Sequence, residues 1–314
     1  MSAATPWTAT SPISAGGEKN CDWVSVSPMA STSYEHCTRP YKDVVSDEVR
    51  MRSDHVFPDC QVLPLLWALL ANEQEGDELF VDAGANIGSC TLLMAGVTNA
   101  TTVAFEPSAS NLHYLTRSLL HANNAALRRR VTLYPVGLGV SARSYPLFEQ
   151  PGNAGNTVLG APMLSASSQS ASRAEVRSLD AILGVSVQQP RIRLLKLDVQ
   201  GMETKVLRGA RRMLSAHRVR CIEFELATSW LGGHNSSWSQ LFGLLRRSGY
   251  ALLQLRTRCP RLRRCTSTFV RGVATAGLRP GVAPKDGQYI ACEARSARAL
   301  PRGDFYWPVG GVGG

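Results

Sequence analysis

The stretch Phe80-Val81-Asp82-Ala83-Gly84-Ala85-Asn86-Ile87-Gly88 closes an apolar run with an acid, then offers two glycines before a helical stretch begins. Glycine lets a backbone take positive φ and come close to a ligand. The helix N-terminus that follows leaves free N–H groups for a carboxylate or phosphate. Glu106 ends a second apolar run, eighteen residues after Gly88, and a carboxylate there can accept both hydrogens of a ribose diol. This is the plan of an adenosine-cofactor site. Gly84-Ala85-Asn86-Ile87-Gly88 does not meet the dinucleotide fingerprint Gly-x-Gly-x-x-Gly, and the Gly-Lys-Ser/Thr of a P-loop is absent. S-adenosylmethionine remains, its aminocarboxypropyl end at the glycine turn and its ribose on the acid of the second strand. A lone glycine pair would read as an ordinary turn; Asp82, Asn86 and Glu106 at the right places favour a cofactor.

These residues need elements to hold them. Leu79 to Asp82, Thr102 to Glu106, Val131 to Val136, Ile192 to Asp198, Val219 to Glu225 and Tyr250 to Leu255 read as strands, with Gln288 to Glu293 as a seventh. Helices are expected over 61–72 beyond Pro64, around Thr91 to Ala95, and over Ser110 to Ala122, Met202 to Leu214 and Trp238 to Ser248. Strands alternating with helices imply a parallel sheet covered on both faces. Ligands of such sheets bind outside the carboxyl ends of the strands. Asp82, Glu106 and Asp198 end strands, and Glu223 and Glu225 lie in the fifth. A carboxylate buried mid-strand is costly, so acids gathered at strand tips point to a site rather than to packing. Residues 1–20 read as a disordered tail and 21–60 as an irregular extension. The main domain spans 61–295, with insertions at about 139–178 and 256–286, and 296–314 form a tail.

Asp82-Ala83-Gly84-Ala85-Asn86-Ile87-Gly88, Val103-Ala104-Phe105-Glu106-Pro107, Leu195-Lys196-Leu197-Asp198-Val199-Gln200-Gly201-Met202-Glu203 and Val206-Leu207-Arg208-Gly209-Ala210 together resemble the FkbM family of methyltransferases in order and spacing. The resemblance covers about residues 60–255. It implies an α/β class I methyltransferase (Rossmann-like) fold, a three-layer sandwich around a mostly parallel seven-stranded sheet with an antiparallel last strand. It also implies S-adenosylmethionine as cofactor and transfer to an oxygen, often on a sugar or polyketide-like acceptor. By matching, Asp82, Gly84, Asn86, Gly88 and Glu106 become cofactor contacts. Gln200 stands where the family often has Glu.

An alcohol acceptor must lose its proton, and a carboxylate or His is the usual base. Asp198 is the first candidate, with Glu203 and Glu225 beside it. As plain structure, Asp198 would be a helix N-cap and Glu203 a first-turn acid favoured by the helix dipole. Asp198 and Glu225 could instead hold Mg²⁺, but no metal is the favoured reading. His55, His113 and His234 are alternative bases. Lys196 should share a face with Asp198, as a buried ion pair. Asn153-Ala154-Gly155-Asn156-Thr157 suits a turn, or a loop closing over a polar acceptor.

Net charge is +10, with the excess concentrated from Arg191 to Arg271. That basic surface admits a nucleic-acid substrate, but Arg256 to Cys265 lacks the interleaved aromatics of a single-strand binder. The expected acceptor is therefore a small molecule or glycan. A nucleic-acid methyltransferase and a catalytically inactive cofactor-fold binding module are the alternatives. Neither a secretory signal nor a run of 18 apolar residues is visible, so a cytoplasmic location is the default. Cys90 and Cys221, in apolar surroundings, are expected to be free thiols. Disulfides among Cys21, Cys37, Cys60, Cys259 and Cys265 would need an oxidising compartment.

Overall fold

The computed structural model describes residues 4–8, 20–29, 32–71, 78–98, 100–150, 153–160, 172–186, 188–261, 264–271, 285–301 and 304–308. In chain order a hairpin of β1 (Asp22–Met29) and β2 (Thr32–Thr38) leads to α1 (Val44–Met51) and α2 (Leu63–Leu69). Then come β3 (Glu78–Ala83), α3 (Ser89–Val97), β4 (Thr101–Phe105), α4 (Ala109–Leu120), α5 (Ala125–Arg128) and β5 (Val131–Tyr134). A second group is β6 (Gly137–Leu138), β7 (Arg143–Gln150), β8 (Asn153–Leu159) and β9 (Ser172–Arg177), followed by α6 (Leu179–Leu183). The rest is β10 (Arg191–Leu197), α7 (Glu203–Gly209), α8 (Arg211–Ser215), β11 (Val219–Leu226), α9 (Thr228–Gly233), α10 (Trp238–Arg247), β12 (Tyr250–Arg261), β13 (Arg264–Arg271), β14 (Gly287–Glu293), α11 (Ala294–Ala299) and β15 (Asp304–Pro308).

The expected strands become neighbours in one sheet, in the order β15-β13-β12-β14-β11-β10-β3-β4-β5. β5, β4, β3, β10 and β11 run parallel, and β14 enters antiparallel between β11 and β12. β13 and β15 widen the expected seven strands to nine. They come from the basic insertion and the tail, where β13 is mostly polar and β15 carries only the three-residue run Phe305-Tyr306-Trp307. Burial on both faces follows strand periodicity. Phe80, Ala104 and Leu194 pack with Leu63, Leu66, Leu92 and Leu115 on one face, while Val81, Val103 and Leu195 pack with Val206, Leu207, Leu241 and Leu245 on the other. That makes three layers.

Residues 21–60 are not irregular. Val24 and Val26 alternate with exposed Trp23 and Ser25 along β1, a short two-residue period. The hairpin lies on α3 and α4. Cys37 N–H donates to Ser118 Oγ (2.8 Å), and Asn124 Nδ2 donates to the Glu35 carbonyl (2.7 Å). Of the leading tail, residues 4–8 are described, and Trp7 N–H bonds the Leu133 carbonyl (2.6 Å). The segment 139–178 folds largely as a small sheet, β6-β9-β7-β8, and Asn153 to Thr157 belongs to strand β8 rather than to a turn. The single helix expected from Met202 to Leu214 breaks at Ala210 into α7 and α8.

The expectation of free Cys90 and Cys221 is corrected. Disulfides join Cys21 to Cys37, Cys60 to Cys90 and Cys221 to Cys292, and no free thiol remains among the described residues. Apolar surroundings do not separate a buried thiol from a buried disulfide. The partners meet only through tertiary register, as Cys221 meets Cys292 directly across β11 and β14. The side chains of Cys259 and Cys265 lie outside the described residues. Among those described, no helix is long and apolar enough to cross a membrane.

Candidate active site

The site forms where β3 and β10 end side by side. Ala83 pairs with Leu197, and Asp198 N–H donates to the Ala83 carbonyl (3.0 Å). The chain must then turn away at once. Gly84 does so at φ +88°, and a Cβ there would lie 1.9 Å from the backbone oxygen of Asp198. No other residue fits. The N–H groups of Gly84 and Ala85 both donate to the Phe105 carbonyl (3.0 Å each), which ties the turn to the end of β4. Gly88 (φ +95°) then starts α3 without a side-chain cap, and the buried hydroxyl of Ser89, the first residue of α3, has no partner among the described residues.

Glu106 follows β4 and is buried. Asn86 N–H donates to its Oε2 (2.8 Å); Ser108 N–H (2.8 Å) and Asn111 Nδ2 (3.1 Å) donate to its Oε1. Burial pushes its carboxyl up to about 7, against the pull of these donors and of the Arg39 charge. A cleft open to solvent is lined by Gly84, Asn86 and Glu106 on one side and by Asp198 and Gln200 on another, with Thr157 and Leu159 of β8 completing the wall.

Asp198 is about a quarter exposed, with its side chain held at both oxygens: Lys196 Nζ donates to Oδ2 (3.2 Å) and Gln200 Nε2 to Oδ1 (2.6 Å). The expected pairing of Lys196 with Asp198 is thus present. Burial opposes the Lys196 charge, but Asp198, Asp82 and Glu223 outweigh it and raise its pKa. Asp82 sits behind the cleft wall, fully buried, accepting from Thr91 Oγ1 (2.7 Å) with Lys196 Nζ 3.8 Å away.

Glu203 is also drawn away from the cleft. Its Oε1 accepts from the N–H groups of Gly201 (3.1 Å) and Val199 (3.3 Å), so it ties the turn that enters α7. Burial pushes it to about 7. Asp198 does not cap this helix; α7 has no side-chain cap at Met202. Glu225 is exposed just beyond, pushed to about 7 by desolvation and then by repulsion from Asp198 and Asp59. His234 packs under the Gln200-Gly201 turn, and burial lowers it to about 4, so it is neutral at pH 7. His113 stacks edge-on against Tyr114, and His55 Nδ1 lies 2.9 Å from the Val49 carbonyl. Among the described residues, no three His, Cys, Asp or Glu side chains are grouped to hold a metal.

The sequence pattern misses Asn111, Ser108, Asp59 and Arg39. Ser108 and Asn111 carry a readable signal, since Ser108 Oγ accepts from Asn111 N–H (3.3 Å) as the N-cap of α4. Arg39 and Asp59 carry none; only the fold brings them near.

Residues 82–252, more than half of the chain, match the family model for the methyltransferase FkbM domain. Methyltransferase 1 of Beauveria bassiana (strain ARSEF 2860) is 31% identical over 149 residues, or 42% of this chain and 58% of that protein. The chain thus spans little more than half of that relative's length. Among solved structures, methyltransferase FkbM from Methylobacillus flagellatus KT is 22% identical over 59% of this chain and 41% of its own, with a TM-score of 0.39. Magnesium protoporphyrin IX methyltransferase from Synechocystis PCC 6803, with bound SAM, is 11% identical over 75% and 79%, with a TM-score of 0.35.

Proposed function

The chain belongs to the FkbM methyltransferase family, and from that premise we propose that it methylates a hydroxyl oxygen of a small-molecule or glycan acceptor, with S-adenosylmethionine as donor. The observation that carries this reading is Glu106, a buried carboxylate on the cleft wall with three converging donors, facing the glycine turn. Oε1 already accepts two of these bonds, and Oε2, with a single donor, keeps an accepting position for a ribose hydroxyl. The residues fit the cofactor. Gly84 and Gly88 keep the turn free of side chains, the start of α3 suits a carboxylate, and the orphaned Ser89 hydroxyl lies at that helix end. Gly84, Asn86 and Glu106 would hold it directly, with Gly88 and Asp82 shaping the turn from behind.

When bound, S-adenosylmethionine supplies a methyl group already activated on a sulfonium. What is left to the chain is to orient the acceptor and receive one proton. Asp198 suits that task, as the carboxylate on the cleft with Lys196 to compensate its charge. Glu225, beside it and near neutral in affinity for protons, suits a relay to solvent. Glu203 is engaged in the turn and is assigned a structural part. The three disulfides support a working place in an oxidising compartment rather than the cytoplasmic default.

The test has a binding arm and a turnover arm. Calorimetry with S-adenosylmethionine should give a measurable affinity for the wild type and at least about tenfold weaker binding for Glu106→Ala, because a charge-assisted hydrogen bond is lost. Asp198→Asn should bind the cofactor as the wild type does, yet lose turnover on any hydroxyl acceptor found. Equal affinity of wild type and Glu106→Ala refutes the cofactor site. Absence of binding in both leaves a non-catalytic module as the answer.

A further inference from the structure

The carboxylate of Glu106 is oriented from a segment that lies outside the matched region 82–252. Asn111 on α4 stands between them: its Nδ2 donates to Glu106 Oε1 (3.1 Å), while its Oδ1 accepts from Arg39 Nη2. We propose that Arg39 is a positioning residue for the cofactor carboxylate, acting through the amide of Asn111. The proposal rests on the reading of Glu106 as the ribose ligand.

Donor and acceptor types fix the orientation of the Asn111 amide. A guanidinium carries five N–H donors and no acceptor. The atom of Asn111 that faces Arg39 must therefore be its oxygen, and the amide nitrogen is left to face Glu106. A flipped amide would set NH₂ against a guanidinium and a carbonyl oxygen against a carboxylate, two repulsive contacts in a buried place. Arg39 thus determines which end of Asn111 Glu106 meets.

Arg39 is rigidly set for this. Its side chain is fully buried, with the guanidinium 4.8 Å from the centroid of the Tyr114 ring. Its Nη1 lies 3.4 Å from Asp43 Oδ2, and its backbone N–H donates to Ser46 Oγ (3.1 Å). Asp43 in turn caps α1, accepting from Ser46 N–H (3.0 Å). Two residues before Arg39, Cys37 is bonded to Cys21 and donates its N–H to Ser118 on α4, the helix that bears Asn111. The hairpin that carries Arg39 is thus tied directly to the helix that carries the amide. The charged groups around Glu106 are Arg39 and Asp43 from the N-terminal segment, Glu149 of β7, which accepts from Ser108 Oγ (2.7 Å), and Asp198 across the cleft.

Calorimetry of the full-length chain with S-adenosylhomocysteine, from pH 6 to 8.5, separates a positioning role from a merely structural one. Binding needs the ionised carboxylate, so affinity should rise with pH through a midpoint near 7. Arg39→Met frees the amide to flip, and Asn111→Asp places a carboxylate against Glu106. Either should move the midpoint up by about one pH unit. That shift weakens binding about ninefold at pH 6 and by less than about 1.5-fold at pH 8.5. Arg39→Lys, again a donor without acceptor, should restore the wild-type profile. Glu106→Gln should flatten it. If Arg39→Met does not fold, the near-isosteric Asn111→Asp decides. Equal weakening at every pH, or an unmoved midpoint in Asn111→Asp, overturns the proposal while leaving the ribose ligand in place. An unchanged profile in Glu106→Gln overturns the ribose reading itself.

Discussion

Removing the Cys60–Cys90 disulfide tests whether the N-terminal segment is a working part of the catalytic domain. The bond joins the turn Pro58–Cys60 to the first turn of α3, across 30 residues of chain. Both sulfurs lie in the apolar cluster with Leu63, Leu66 and Leu93. Closing a loop of that length removes about 12 cal/mol/K of entropy from the unfolded chain, or roughly 3.7 kcal/mol at 25 °C. The double variant Cys60→Ala/Cys90→Ala avoids leaving a lone thiol or burying two hydroxyls. It should unfold with roughly 3–4 kcal/mol less stability, read from the urea midpoint and slope together, the midpoint falling and the slope rising slightly as the unfolded chain is freed to expand. Because Cys90 belongs to the first turn of α3, just after Gly88, cofactor affinity should fall with it. Alkylation of the unreduced, denatured protein gives the independent check. Labelling of Cys60 or Cys90, or an unchanged midpoint in the double variant, refutes the reasoning.

Two further outcomes follow from the site. In Gly84→Ala the new methyl meets the Asp198 backbone at 1.9 Å and sits at φ +88°. Strain of about 1–2 kcal/mol and a weakened Asp198–Ala83 hydrogen bond of about 1 kcal/mol should lower the melting temperature and abolish cofactor binding by calorimetry; a variant with wild-type affinity would remove the turn from the site. Glu203 has a folded pKa of about 7, above its usual value of 4.5. A carboxyl so raised binds its proton more tightly in the folded state, so its contribution is most favourable below 4.5 and declines as pH rises toward 7. Glu203→Gln keeps an accepting oxygen without the charge. It should therefore gain stability over the wild type at pH 8 and lose that advantage by pH 4, as measured by urea unfolding at the two pH values.

The parallel centre of the fold is legible in the sequence because burial on both faces forces apolar runs, as in Leu79 to Val81 and, interrupted by Lys196 alone, Leu194 to Leu197. The glycine turn and Glu106 are legible for a related reason: their chemistry is local, and spacing alone carries it. What does not show is whatever depends on distant partners. β13 lacks an apolar alternation and β15 carries only the short run Phe305-Tyr306-Trp307; both join the sheet by antiparallel backbone pairing. Glu203 looks like a candidate base until the Val199 and Gly201 N–H groups are seen to converge on it. Arg39, within a polar stretch, becomes meaningful only where α4 presents Asn111 to it.

The balance of charge in the crevice bears on which acceptor fits. Burial raises Asp59, Glu223 and Glu225, repulsion from Asp198 raises each further, and Lys196 is the cation that opposes them. Asp82 draws on the same lysine. A phosphate brought beside Asp198 would add to the acids that already share this one ammonium, despite the net +10 of the chain. A neutral hydroxyl meets no such barrier. It can donate to Asp198 as it approaches, and the proton it gives up enters a cluster in which Glu225 and Glu223 already hold protons more tightly than ordinary carboxylates. On the proposed reading, the acids that would repel a nucleic-acid backbone are the ones that would receive the proton of an alcohol.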